Sequence, residues 1–334
     1  MRAGVNRGHS TWKEHAMLVN EWIDIHSHFY PPETPVQHEA RLIAMKEAGW
    51  VISQPPRWDS ESTLSYMDRT GIAMQMLSNI PKNLDALRAS NDFATSLVQE
   101  HPTRFGLLTA LPTDNPEAAL AEIERAYGEL KTDGFAVTCH YNDVYLSDER
   151  LDPVWKELDR RRAVVFAHPN AYAPAVMGRP VALAEVAFET ARTVIDMLYA
   201  GTFRKFPNFK FVLAHCGGAL PALSGRLLIL GNESWIPNPN HVTPSEFRAH
   251  LRCLYLDTAA TCPTTLGAAL AMTTHDHIVY GSDCGVPCTT DATMQTNLEA
   301  LLSYAGLTRE QIEDIGHNAL RLFPAAAERI RKGK

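Results

Sequence analysis

Four apolar runs in this chain each stop on a side chain able to ligate a metal. Trp22-Ile23-Asp24-Ile25 runs into His26-Ser27-His28, and Val164-Val165-Phe166-Ala167 ends on His168. Phe211-Val212-Leu213-Ala214 ends on His215, and Ile278-Val279-Tyr280-Gly281-Ser282 ends on Asp283. Short apolar runs of this kind read as strands buried on both faces, the signature of a parallel sheet covered by helices. Residues i and i+2 of a strand face one way, so His26 and His28 can share a cation. A single His-x-His pair is only moderately specific; the other three run ends give it weight.

The runs belong to a wider rhythm of strand and helix. Strands are expected at 22–26, 73–78, 105–110, 134–139, 163–168, 210–215, 253–257 and 277–282. Helices are expected at 84–100, 116–131, 153–161, 184–205, 217–230, 263–272 and 291–305. Asn115-Pro116-Glu117 is a helix start, a capping residue followed by Pro at the first helical position. Eight parallel strands alternating with helices predict an α/β fold of the (β/α)8 TIM-barrel type. Two stretches break the rhythm. Residues 29–61, with five prolines, are too long for an ordinary βα loop and read as an insertion over the barrel top, with a short helix near 38–48. Residues 232–250 are rich in Pro and Asn. Two closing helices are expected at 308–315 and 316–331, so one domain spans 21–332 behind an N-terminal extension of residues 1–20.

Active sites of such barrels lie at the C-terminal ends of the strands. His26, His28, His168, His215 and Asp283 all fall there. His275-Asp276-His277, the second His-x-His, precedes the eighth strand and falls at the opposite face. His140 follows the fourth strand and is a candidate for the pocket wall, whereas His317-Asn318 reads as a helix cap region.

Imidazoles with a carboxylate suit zinc, manganese or iron better than calcium or magnesium. Such an ion with an open position lowers the pKa of a bound water towards about 7. A carboxylate on the last strand can hold the ion and accept a proton, and a further His can act as general acid or base. His215 admits three readings at this point: ligand, base, or structural hydrogen-bonder. Cys284 and Cys288 raise a metal or redox reading, but their spacing is not that of a standard zinc pair.

Bulk composition narrows the partners. With a net charge of −7, the chain has no basic surplus for a nucleic acid. It contains no apolar run of about 18 residues that could span a membrane, and residues 1–20 lack the apolar stretch of a signal peptide. Six scattered cysteines do not form a disulfide framework. The expectation is a cytoplasmic protein.

The chain resembles the decarboxylase branch of the amidohydrolase superfamily, the group that includes aminocarboxymuconate-semialdehyde decarboxylase and 6-methylsalicylate decarboxylase. The resemblance covers roughly residues 20–325. It is carried by Ile23 to His28, Phe166-Ala167-His168-Pro169, Phe206-Pro207 with Ala214 to Ala219, Tyr280 to Asp283, and Ser65 to Ile72. It implies that His26, His28, His168 and Asp283 hold one divalent metal, zinc favoured over manganese. It implies that His215 and Asp283 move protons beside that metal, and that the protein is a homodimer. In the muconate enzyme an Arg eleven residues after the catalytic His reaches a substrate carboxylate across the dimer, and Arg226 stands at that offset.

The departures bear on substrate. Asn170 replaces the Trp that follows the strand-5 His in the muconate enzyme, its other carboxylate-binding Arg has no counterpart, and Cys284 to Cys288 replace an aromatic-Pro run. The implied activity is non-oxidative decarboxylation of a small hydroxyaromatic or muconate-type acid. A 6-methylsalicylate-like substrate is favoured because Phe29 and Tyr30 follow the His pair. Phe29, Asn170 and Arg226 are the candidate substrate contacts, although Asn170 also reads as a loop cap and Arg226 as a solvated side chain. Two rivals remain: a metal-dependent hydrolase or hydratase of a lactone or ring-cleavage product, and a metal-binding protein without catalysis.

Overall fold

The computed structural model describes residues 19–54 and 57–333. Seven strands run parallel and side by side in chain order: β1 (Ile23–His28), β2 (Met74–Ser78), β3 (Phe105–Ala110), β4 (Gly134–Thr138), β5 (Val164–His168), β6 (Lys210–Leu213) and β7 (Tyr255–Leu256). Helices cover the outside: α1 (Pro35–Glu47), α2 (Ser60–Thr70), α3 (Leu84–Glu100), α4 (Pro116–Arg125), α5 (Asp152–Arg160), α6 (Glu185–Tyr199), α7 (Leu220–Leu230), α8 (Pro244–Cys253), α9 (Pro263–Met272), α10 (Asp291–Leu302), α11 (Arg309–Leu322) and α12 (Pro324–Lys332). This is the α/β barrel expected. The N-terminal extension, except for residues 19 and 20, lies outside the described residues.

The eighth strand position is filled differently from the seven ladders. Residues 278–284 run between β7 and β1 and join them by backbone bonds: Val279 N to Leu256 O (2.9 Å), Ile25 N to Tyr280 O (3.0 Å), Asp283 N to His26 O (2.9 Å) and His28 N to Cys284 O (2.7 Å). Several of its remaining backbone groups are taken by side chains. Gly281 N donates to Thr258 Oγ1 (3.1 Å), Ser282 N to Asp24 Oδ1 (3.0 Å), and Asn318 Nδ2 donates to Ile278 O (2.6 Å) and to His275 O (2.8 Å). A chain bonded in this way closes the barrel without forming a regular ladder.

One buried cluster draws residues from β1 to β6 and from the closing segment: Ile23, Met74, Leu108, Ala136, Phe166, Val212 and Val279. Side chains from so many strands can meet only inside the barrel. Ala319, Phe323, Ala326 and Ile330 of α11 and α12 complete this cluster, so the terminal helices plug the end away from the ligand residues. The larger apolar cluster lies between the strands and the outer helices.

Local signals explain most boundaries. Asn83 and Asn115 cap α3 and α4 through their side chains, and Pro116 opens α4 as expected. The insertion helix begins at Pro35, behind a Thr34–Gln37 capping box. The expected 184–205 helix breaks at Gly201, whose φ of 71° leaves the helical region. The closing helices divide at Pro324 and not at residue 316, so His317 lies inside α11 and caps nothing. The 232–250 stretch ends in α8, started by a Thr243–Glu246 capping box. Among the described residues no helix is long and apolar enough to cross a membrane.

Candidate metal centre and its cavity

The ligand atoms of His26, His28, His168 and Asp283 all lie within 4.8 Å of one another. His26 Nε2 is 3.0 Å from His28 Nε2, and Asp283 Oδ1 is 3.2 Å from the first and 3.3 Å from the second. β1 carries a register shift between Asp24 and Ser27, just before the two imidazoles meet. His168 ends β5, and Asp283 sits on the closing segment in a left-handed conformation (φ 60°).

Buried acceptors set the tautomers. His26 Nδ1–H donates to Asp257 Oδ2 at 2.6 Å, and His168 Nδ1–H donates to Pro169 O at 2.7 Å. In each neutral ring the Nε2 lone pair therefore faces the cluster. His168 Nε2 is buried without a hydrogen-bond partner. A set of inward lone pairs, one carboxylate and one orphaned nitrogen fits a divalent cation that would supply what the protein does not.

Electrostatics point the same way. Burial opposes charge on His26, yet Asp257 and then Asp283 hold its pKa up to about 10. Burial also pushes Asp283 upward, but the His26 charge and the neighbouring imidazoles of His215 and His28 hold it well below the usual carboxylate range. His28 is lowered, and His168 is well below the ordinary histidine value, chiefly by burial. Positive charge is thus favoured between the two carboxylates.

His215 stands beside the four groups. Its Nε2 is 3.8 Å from Asp283 Oδ2, and its ring centroid is 5.0 Å from that of His26 and 5.1 Å from that of His168. Its position depends on an unusual turn: His215, Cys216, Gly217 and Gly218 all have positive φ (53°, 57°, 75° and 59°). Non-glycine residues in this region store strain and occur where surrounding structure over-determines them. Gly218 admits no side chain, because a Cβ would lie 2.4 Å from Ala187 O of α6.

A cavity of about 1030 Å³ opens over the centre. His28, His168, His215 and Asp283 line it, and Tyr30, Glu33, Gln37 and Trp50 of the 29–61 insertion form part of its wall. The Tyr30 hydroxyl meets that of Tyr172, in the loop after β5, at 2.8 Å.

The three candidate substrate contacts fare differently. Asn170 lines the cavity and also caps its loop, its Oδ1 accepting from Tyr172 N at 3.1 Å. Phe29 is only 2% exposed and packs on Trp58 and Phe93 (ring centroids 6.1 Å each), away from the cavity. It follows His28 by one residue, so it points to the opposite face and is a core residue. Arg226 is exposed on α7 and is not among the residues lining this cavity. His140 misses the main cavity as well: it pairs with Glu189 (2.7 Å) in a neighbouring groove. Cys284 is buried, and neither it nor Cys288 joins the metal-type cluster. Cys288 Sγ does reach within 3.8 Å of Asp283 Oδ2, and its thiol is pushed up to about 12 by burial.

Sequence reasoning missed two residues. Asp257 follows the Tyr255-Leu256 strand, so it too is a carboxylate at a strand end; its Oδ1 accepts from Cys216 N and Ala259 N, both at 3.0 Å. Glu189 of α6 accepts from Asn170 N at 3.0 Å and so ties down the loop that follows His168. Nothing in the local pattern around Glu189 signals this.

Comparison with known proteins agrees with the geometry. The amidohydrolase family model matches residues 23–325. A protein named decarboxylase macB from Penicillium terrestre is 32% identical over 288 residues, covering 78% of this chain and 83% of its own length. A 6-methylsalicylic acid decarboxylase from Penicillium expansum is 28% identical over 331 residues, covering 93% and 99%. A crystal structure of an amidohydrolase II superposes with a TM-score of 0.77 at 27% identity, covering 91% of this chain and all of that one (100%). A dihydroxybenzoic acid decarboxylase from Polaromonas, solved with manganese and the inhibitor 2-nitroresorcinol, superposes with a TM-score of 0.74 at 23% identity, covering 91% and 97%. The strand-end ligands, the barrel that carries them and these relatives converge: the chain is an enzyme of the amidohydrolase family.

Proposed function

We propose that this protein is a metal-dependent, non-oxidative decarboxylase of small hydroxyaromatic carboxylic acids. The observation that carries the reading is the placement of His215 and Asp283, 3.8 Å apart, on the wall of a cavity that opens onto the metal-type cluster. The names of the relatives, decarboxylases of aromatic acids among them, support it. His26, His28, His168 and Asp283 would hold one divalent ion. Zinc suits the imidazole-rich set, and manganese is the alternative that the Polaromonas structure supports. When bound, the ion supplies electrostatic stabilisation to the substrate's carboxylate and neighbouring phenolic oxygen.

The residues then divide the work. His215 delivers a proton to the ring carbon that bears the carboxylate. The bond to the carboxylate breaks, its electron pair restores the aromatic ring, and carbon dioxide leaves. Asp283 accepts the phenolic proton and shares it with His215. A 6-methylsalicylate-like acid is the substrate we favour.

We also infer a homodimer in which α7 meets a second copy. This helix is almost wholly apolar, yet only Leu220 and Pro221 of it are buried, while Ile229 is 74% exposed and Trp235 just beyond it is 64% exposed. Arg226 lies on the same helix, suited to a neighbour's cavity and not to its own.

The test is carbon dioxide release by zinc- and manganese-loaded protein from salicylates and dihydroxybenzoates, with Asp283→Ala as control. Release that is lost in the control is expected. Silence towards every acid by protein shown to hold metal, with label from heavy-oxygen water entering a lactone product instead, would replace this reading by hydrolysis.

A further inference from the structure

We infer that the natural substrate is an ortho-hydroxy aromatic acid bearing a long apolar substituent, and that Ala86 and Ala89 make room for that tail. The inference rests on the decarboxylase reading and adds the substituent. A cavity of about 1030 Å³ is at the upper end of what encloses a drug-sized ligand, roughly 300–1,000 Å³. A single-ring acid anchored at His28, His168 and Asp283 would leave most of it filled with water.

Polar side chains such as Ser78, Asn79 and Thr138 belong to the remaining wall, but a large part of it is apolar. Trp50, Ile80, Leu183, Val186 and Val286 face the cavity, and between them lie small residues. Ala86 and Ala89 stand three residues apart on α3, so they share one helical face, while Leu87 turns into the core. Both alanines are exposed to the cavity. Outside the metal-type cluster the charged residues of the lining are Glu33 and Lys82. Glu33 is already engaged by Arg41 at 3.0 Å and by His38 at 3.4 Å. Lys82 is exposed, at the start of α3. From its own chain a second anionic head would find only the exposed Lys82, whereas an alkyl chain would meet apolar side chains such as Ile80, Leu183 and Val186. Leu183 is 72% exposed and belongs to the same wall, and a bound tail would cover it.

The experiment compares kcat/KM for a series of 6-alkylsalicylates, methyl to heptyl, with metal-loaded wild-type protein and with Ala86→Leu and Ala89→Leu. Burial of each added methylene predicts a rise of about three- to four-fold per carbon over the first several carbons. In each leucine variant the heptyl-to-methyl ratio should fall at least about tenfold, since the wall is filled. Two variants on one face guard against a single misfolded protein. Turnover of 6-methylsalicylate with no gain along the series overturns this inference alone. Absence of carbon dioxide from every member overturns the inference, and absence from the dihydroxybenzoates as well overturns the decarboxylase reading with it.

Discussion

Asp257→Asn isolates what a carboxylate one step behind the metal-type ligands does. The substitution keeps the shape and removes the charge. The amide has two ways to sit. With its oxygen towards Cys216 N and Ala259 N, it keeps both 3.0 Å bonds and turns its NH2 towards His26 Nδ1. His26 must then accept at Nδ1 and carry its proton on Nε2, where the lone pair is needed. With the amide flipped, His26 keeps its tautomer, but two buried N–H groups face an NH2, at about 1–3 kcal/mol each. The first arrangement is cheaper, so the variant should fold, with a lower melting temperature near pH 7 because His26 loses its charged partner, and bind metal badly. Loss of such an outer hydrogen-bond partner weakens metal affinity about 10- to 100-fold, or about 1.4–2.7 kcal/mol. Competition against a chromogenic chelator reads the affinity, and thermal melting of the metal-free protein reads the fold. A variant that melts like wild type and holds metal within about twofold of it would refute the argument that Asp257 sets the His26 tautomer.

Four further outcomes are expected. In the metal-free protein His26 is raised from 6.5 to about 10, so a metal must displace its proton: affinity should climb about tenfold per pH unit from pH 7 to 9 and level off near 10. The same shift stabilises the metal-free fold fully below about pH 6.5, so its melting temperature should drop as pH rises from 7 through 10, and a flat profile would contradict the His26 assignment. Gly281→Ala places a Cβ 2.9 Å from that of His26 and 3.0 Å from that of Asp257; urea titration should show a loss of about 1–3 kcal/mol, and unchanged stability would mean that the pair has slack. Glu189→Ala frees the Asn170 N–H, so steady-state kinetics should show KM up about fivefold with kcat little changed, Glu189→Gln restoring most of it because its amide oxygen can still accept.

The barrel was legible because its strands are buried on both faces, which leaves uninterrupted apolar runs, and because the chain marks the ends of several with His or Asp. The eighth strand was located correctly as a place but not as a ladder. Beside four backbone bonds to its neighbours, its hydrogen bonds go to the side chains of Thr258, Asp24 and Asn318, partners that no local pattern announces. Asp257 escaped notice although it obeys the same rule as His168, since β7 has only two residues and offers little alternation to read. Phe29 was misplaced for a simpler reason. The side-chain period of a strand is two, so its neighbour His28 and Phe29 cannot both face the cavity. The division of the terminal helices at Pro324 was written in the sequence and passed over. Glu189 and the 215–218 turn were not legible, because each depends on a contact with or from α6 that only the folded chain creates.

Asn318 holds the closing segment from below by bonds to His275 and Ile278 carbonyls. The first metal-type ligand is made near the start of the chain, yet the segment carrying Asp283 gains its last brace only after residue 318 has emerged. At roughly 5–20 residues per second, about 15–60 s of translation separate His26 from its brace. Until residues 278–284 have emerged the sheet has two open edges, and the His pair on one of them lacks Asp283. Nascent chains stalled before residue 318 should therefore bind metal far more weakly than the released protein, and the centre is assembled last although its first residues are synthesised first.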